Sequence, residues 1–366
     1  KIMKLRKDTT KPLGILRAIV LITVGILIGS TVVYFTINVI EKVETIEVST
    51  SIATIQEPIK EELLNPMIKL PYYKNHSWIK FVGIEELITN YLEEAKRGKK
   101  ISSASVYFRD LTNDFKVGVN EDEQFSPASL MKVPIMIAVL KYFENKPYTL
   151  KTELFYEGPK EKKYIEIDPK VFVSKTRLIS GNRYSVEQLI EIMITESDNE
   201  ATILLIDYLE QEDPNFLSQV EHDLGMDIPE NTGNSDNFLT VKRYASFFRT
   251  LFNASYLTDE NSKMALDVLS KSGYGYGIRQ SIPKNITVAH KFGIKLTQNP
   301  AFQLHHFGIV YHAKKPFLIG IMTKGNDLEN LKRFTSDVSF DVFSQVEIQS
   351  NSNTNTNSYL NRDIED

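Results

Sequence analysis

The sequence contains no cysteine. That absence excludes disulfides, thiolate nucleophiles, Cys-ligated zinc, iron–sulfur clusters and a lipid-modified N-terminal cysteine. Histidine is scarce: the chain has six (His76, His222, His290, His305, His306 and His312), and none falls in a His-Glu-x-x-His pattern. Three of them crowd into LHHFGIVYH, which reads as a strand face rather than a ligand set, so neither a metal nor a cofactor is expected. The chain lacks a dense basic stripe and its pI is near 6.0, which argues against a nucleic-acid partner. No internal repeat is visible. Charge at 25% and aromatics at 10% are ordinary globular values, which excludes a wholly disordered or collagen-like chain.

One long apolar run stands out. Ala18 to Ile40 carries no charge, and at about 1.5 Å per residue such a helix crosses a hydrocarbon core of about 30 Å. Lys1, Lys4, Arg6, Lys7, Lys11 and Arg17 precede it against Asp8 alone. That bias keeps the N-terminus cytoplasmic and exports everything after Glu41. A cleaved signal peptide has a shorter apolar region and a small-x-small exit, whereas this run leaves through Asn38-Val39-Ile40-Glu41. The expected organisation is a cytoplasmic basic segment (1–17), a single-pass transmembrane anchor (18–40), a stalk (41–77), one folded domain (78–347) and a disordered polar Asn/Ser/Thr tail (348–366). The predicted location is the cytoplasmic membrane, with the folded domain outside.

Within the domain, Ile84–Lys96 has helical spacing. Ala104–Leu111 and Phe115–Asn120 read as strands joined at Thr112-Asn113-Asp114. A helix is expected from Ser126-Pro127, a good cap and first-turn pair. Ser185-x-x-Gln188 is a capping box followed by an apolar face at Val186, Leu189, Ile190 and Met193. Ala201, Leu204, Leu205, Tyr208 and Leu209 form a second apolar face. Ile286–Lys295, Phe302–Tyr311 and Phe317–Lys324 are late strands, and Leu328–Val346 is a closing helix. Two strands early, helices between and three strands late imply an α+β domain whose antiparallel sheet is completed by both chain ends around a helical insertion.

Ser129-Leu130-Met131-Lys132 sets a hydroxyl and an amine three residues apart near a helix start, so both share one face. A serine needs an adjacent base, and a partly buried lysine can lose its proton and serve. The spacing alone is weak, since it recurs at Ser77/Lys80 and Ser281/Lys284. Ser197-Asp198-Asn199 lies between two helical patterns and reads equally well as a polar loop; it too has a double, Ser235-Asp236-Asn237. Lys291-Phe292-Gly293 falls in a late strand.

In this order the three elements resemble the Ser-x-x-Lys, Ser-Asp-Asn, Lys-Thr-Gly signature of class A β-lactamases and penicillin-binding proteins. The contexts SPASLMKVPIMIAVLKY, IMITESDNEATILLIDYL and KSGYGYGIRQSIPKNITVAHKFG resemble that family as well, over roughly Ile84 to Val346. The resemblance implies a β-lactamase/D,D-peptidase-like fold: an antiparallel sheet flanked by helices, plus a mainly helical lobe, with the site in the cleft between them. It further implies that Ser129 attacks a carbonyl, that Lys132 takes its proton directly or through a water, and that the backbone N–H groups of Ser129 and Ile294 form the oxyanion hole. On the same resemblance Ser197 would pass a proton to the leaving nitrogen, Lys291 and Gly293 would line the substrate site, Asn199 would bind the substrate amide and steady Lys132, and Asp198 would brace its loop.

The sequence departs from the family twice. Phe292 replaces the threonine whose hydroxyl helps hold the substrate carboxylate; Lys295, two residues past Gly293 on the same strand face as Lys291, is a weak candidate for that contact. The family's deacylating Glu-x-x-Leu-Asn is absent between Ser197 and Lys291. Glu230 is the only glutamate of Gly225–Leu239 and a weak candidate base, more simply read as a solvated turn residue. Three functions stay open: a membrane-anchored serine hydrolase that opens β-lactam amides, a D,D-peptidase acting on D-Ala-D-Ala cell-wall peptides, and a non-catalytic wall-binding relative.

Overall fold

The computed structural model describes residues 63–65, 83–113, 115–144, 146, 149–159, 172, 174–226, 236–296 and 301–360. The expected anchor at 18–40, nearly all of the stalk, the 361–366 end of the tail and Glu230 lie outside the described residues. Among the described residues no helix is long and apolar enough to cross a membrane.

Five strands form the central antiparallel sheet: β1 (Ser103–Asp110), β2 (Lys116–Val119), and, after two short pairs, β7 (Val288–Leu296), β8 (Phe302–Val310) and β9 (Phe317–Gly325). Their order is β2-β1-β9-β8-β7, so the N-terminal hairpin joins the C-terminal meander along β1 and β9, with Phe108 opposite Ile319. The expected closure of the sheet by both ends of the domain is therefore observed. Alternation along the strands gives each face its own core. Val106, Phe108, Ile319 and Ile321 pack with Ile84, Ile88 and Leu92 of α1 (Ile84–Arg97) and with Leu331, Val338 and Val342 of the closing helix. Tyr107, Phe307, Ile309 and Leu318 face the opposite way, into the helical lobe.

The lobe is built around α2 (Lys132–Glu144), whose residues Val133 to Leu140 are all buried. A helix that is apolar on every side belongs at the centre of a bundle. Around it lie α3 (Val186–Thr195), α4 (Asn199–Glu212), α5 (Phe216–Asp223), α6 (Val241–Phe252) and α7 (Asp259–Ser270). Ser185 and Gln188 make the predicted reciprocal capping box at the start of α3. The two short sheets, β3 (Gln124–Phe125) with β6 (Leu239–Thr240) and β4 (Glu153–Phe155) with β5 (Arg183–Ser185), fasten loops to the lobe.

Two expectations need correction. Ser126 does not cap a helix: a 3-10 turn, Ala128–Met131, precedes α2, its cap is Pro127, and no side chain accepts a cap hydrogen bond there. The closing helix, α9 after the four-residue α8 (Ile278–Ser281), runs from Leu328 to Leu360, past Val346 and into the Asn/Ser/Thr tract. Once a helix is nucleated by packing, each added residue requires no new nucleus, and Asn, Ser and Thr are only moderately poor helix formers.

Candidate active site

Ser129 sits on the 3-10 turn and Lys132 opens α2, one turn further on. The Lys132 Nζ donates to Ser129 Oγ at 3.1 Å and to Asn199 Oδ1 at 2.7 Å. Lys132 is buried, and burial lowers its pKa to about 8, opposed by the negative field of Asp198. A substantial neutral fraction therefore exists near physiological pH, which a general base needs.

A second hydroxyl–amine pair lies alongside. Ser197 is buried and holds a left-handed backbone, φ 54°. Its Oγ accepts from Lys291 Nζ at 2.9 Å. Lys291 reaches it from β7, is fully buried, and also donates to the Phe292 carbonyl at 3.0 Å. Burial, reinforced by the Lys132 charge, pulls Lys291 well below the ordinary lysine range. Asp198 caps α4 by accepting from the Ala201 N–H at 2.8 Å, so this carboxylate holds the loop that carries Ser197 and Asn199. Its own pKa is raised, chiefly by burial.

Gly293 has a steric reason to be glycine. A Cβ there meets Leu130 N, Leu130 Cγ and the Pro127 carbonyl at 3.1 Å each. The strand thus runs against the turn that carries Ser129, and a side chain would push the two apart. Ile294 follows on β7, the edge of the sheet, opposite Leu304. Lys295 forms an ion pair with Asp236, so the neighbouring acid already engages the candidate carboxylate contact. Phe292 is fully buried on the other face of β7, with its ring stacked on Tyr274 at 3.9 Å and tilted against Phe172 at 5.2 Å.

The structure brings together Ser129, Lys132, Asn199, Ser197 and Lys291. Of the decoys, Ser281 instead donates to the Ser336 carbonyl at 2.6 Å, while Ser77 lies outside the described residues. His305 and His306 are both buried in β8, on opposite faces: His305 bonds the Ser126 carbonyl, and His306 bonds His290. Among the described residues no group of three or more His, Asp and Glu could hold a metal ion.

Three polar side chains absent from the motif-based reading also touch the turn that carries Ser129. They are Gln303, His305 and Tyr244, the last donating to the Leu130 carbonyl at 2.8 Å. The available signal was a glutamine and a histidine at alternate positions of a strand face that is otherwise apolar at Phe307 and Ile309.

Comparison with solved structures places the fold. PBP-A aligns at 21% identity and TM-score 0.57, over 72% of this chain and 96% of that one. A PBP-A variant described as an acyl-enzyme complex with penicillin G aligns at 22% identity, TM-score 0.57 and the same coverage. A β-lactamase from Xanthomonas campestris pv. campestris aligns at 18% identity and TM-score 0.58, over 72% of this chain and 98% of that one. No curated protein matches the chain in sequence. The sequence profile of the β-lactamase enzyme family matches residues 84–346, the whole span from α1 into the closing helix. The chain belongs to that family of serine hydrolases, and the fold expected from its three motifs is the fold observed.

Proposed function

We propose that this protein is a membrane-anchored serine acyl hydrolase, acylated at Ser129 by β-lactam amides, whose catalytic domain lies outside the cytoplasmic membrane. The observation that carries the reading is the buried Lys132 amine, 3.1 Å from Ser129 Oγ and partly neutral by virtue of its pKa of about 8. In its neutral form Lys132 takes the Ser129 proton, directly or through a water. The oxygen attacks the amide carbonyl, and the N–H groups of Ser129 and Ile294 receive the oxyanion. The C–N bond then breaks, with Ser197 passing a proton to the leaving nitrogen. Lys291, 2.9 Å from Ser197 Oγ, is the ultimate source of positive potential there. Burial lowers Lys291, and an anionic substrate entering beside it opposes that shift. Water finally hydrolyses the ester, releasing Ser129.

A second reading keeps the acylation and changes the substrate to a D-Ala-D-Ala cell-wall peptide. The absence of Glu-x-x-Leu-Asn between Ser197 and Lys291 favours it, because an acyl-enzyme without a positioned base for its attacking water persists. Phe292 favours, more mildly, a relative that only binds.

The test uses the full chain in detergent, mixed with penicillin G and followed by intact mass. Ser129→Ala, a chromogenic cephalosporin and a D-Ala-D-Ala peptide run alongside. An adduct that requires Ser129 and turns over supports β-lactam hydrolysis. A persistent adduct with D-alanine release supports the peptidase reading. A folded protein with no adduct and no turnover overturns both. Protease accessibility in intact cells tests the topology: residues beyond Glu41 are expected to be cleaved from outside.

A further inference from the structure

The serine-bearing turn is held in an unusual way. Residues 126–131 belong to no strand, and Ala128 adopts φ 47°, the left-handed region that side chains with a Cβ disfavour. Backbone groups in such a segment still need partners. At Ser126 both come from side chains of one strand, β8. The Ser126 N–H donates to Gln303 Oε1 at 3.0 Å, and His305 Nε2 lies 2.8 Å from the Ser126 carbonyl, which it can reach only as a donor. Gln303 is 2% exposed and His305 0%. These positions lie opposite Lys295 and Gly293 respectively, directly behind the strand that carries Lys291.

Gln303 does more than close a turn. Its Nε2 donates to Asn237 Oδ1 at 2.9 Å. Asn237 lies two residues before β6, and this segment is anchored beside 124–126 by the Phe238 N–H on the Phe125 carbonyl at 3.2 Å. Asp236, the next residue back, pairs with Lys295. One buried amide on an inner strand thus joins the nucleophile turn to the 236–238 segment, which Asp236 in turn ties to Lys295 on the edge strand.

We infer that Gln303, seconded by His305, is a positioning residue: it sets the Ser129 turn against the Lys132 and Lys291 amines and couples that turn to the 236–238 loop end. The inference rests on the reading of Ser129 as nucleophile, and it adds a residue that the three motifs do not contain. Its physical basis is geometric. A hydroxyl and a backbone N–H on a single 3-10 turn after an irregular segment are pre-aimed when that segment is pinned from behind, and a small misplacement is costly in rate.

The test pairs Gln303→Met, which keeps length and removes both hydrogen bonds, with Gln303→Glu, which keeps the acceptor for the Ser126 N–H. Two readouts are taken on the full chain in detergent: the single-turnover rate of the penicillin G adduct, and hydrogen exchange of the peptide spanning 124–131. The methionine variant is expected to acylate at least tenfold more slowly at saturating penicillin and to exchange faster in that peptide. The glutamate variant is expected to stay within about threefold of the wild-type rate. A folded methionine variant with wild-type rate and wild-type exchange overturns the inference. Should the methionine variant not fold, a folded glutamate variant tenfold slower than wild type overturns it as well. Exchange is read without substrate: faster exchange in a folded methionine variant, with no adduct on the wild-type chain, keeps the clamp and sinks the acylation reading instead.

Discussion

The two faces of β7 and β8 make an instructive contrast. On the face toward the helical lobe, Lys291, Gln303 and His305 are buried polar groups, each bonded to a segment of the site. On the opposite face, Phe292 stacks on Tyr274, and His306 bonds His290 at 3.0 Å. Unpartnered buried atoms occur on both faces: the Tyr274 hydroxyl and His290 Nε2 here, and His305 Nδ1 on the other. His290 and His306 are both held neutral by burial, His290 with a pKa of about 3. Adjacent residues of one strand thus serve different ends: one side lines the proposed site, and the other supplies packing. Phe292 points to the packing side, and its ring therefore leaves the Ser197–Lys291 pair intact.

The sharpest way to break this contrast is on the chemical face. Ser129→Ala is expected to abolish the penicillin adduct while leaving the unfolding midpoint within a few degrees of wild type, measured by intact mass and thermal melting. On the packing face the effect should invert. Phe292→Ala removes a fully buried ring and is expected to cost about 3–5 kcal/mol of stability in denaturant unfolding, with a smaller change in acylation rate among the molecules that stay folded. The pH profile sharpens the comparison further. Acylation is expected to rise about tenfold per pH unit and level off near pH 8, as Lys132 loses its proton. Stability should move the same way. At Lys132 the folded chain holds fewer protons than the unfolded chain between about 8 and the ordinary lysine value of 10.5, so this group's contribution to stability rises with pH across that window. The smallest effect is expected at Lys295, partly exposed and paired with Asp236. Lys295→Ala should change stability by less than about 1 kcal/mol, and penicillin affinity measured by competition tests whether it contributes to carboxylate binding.

Much of this was legible in the sequence because periodicity and burial agree there. Four of the five sheet strands are apolar-rich runs of eight or nine residues, largely buried on both faces, the Ser185 box names its own helix start, and the first two motifs fall at element boundaries while the third lies mid-strand in β7. What escaped has a common cause. β3, β4, β5 and β6 are two or three residues long, too short to show a period. Helix α5 (FLSQVEHD) mixes polar and apolar residues without a clean stripe. The role of Ser126 was misread because Ser-Pro is a local signal, whereas its partners Gln303 and His305 lie 177 and 179 residues away. The same distance concealed the clamp: no local pattern tells that an inward glutamine is bonded to the turn beneath the nucleophile.

Ala128 and Ser197 share a property that bears on how this enzyme can change. Each is a residue with a side chain held in the left-handed region, at φ 47° and 54°, and each lies at one of the two hydroxyls of the proposed site. Such a backbone costs on the order of 1 kcal/mol or more per residue, a sum comparable with a noticeable share of a typical domain's net stability. Heat-tolerant variants are therefore to be sought first at Ala128, where glycine relieves the strain without adding bulk. The same change widens the conformations open to the turn beside the nucleophile, so thermal tolerance and acylation rate stand as opposed traits at that position.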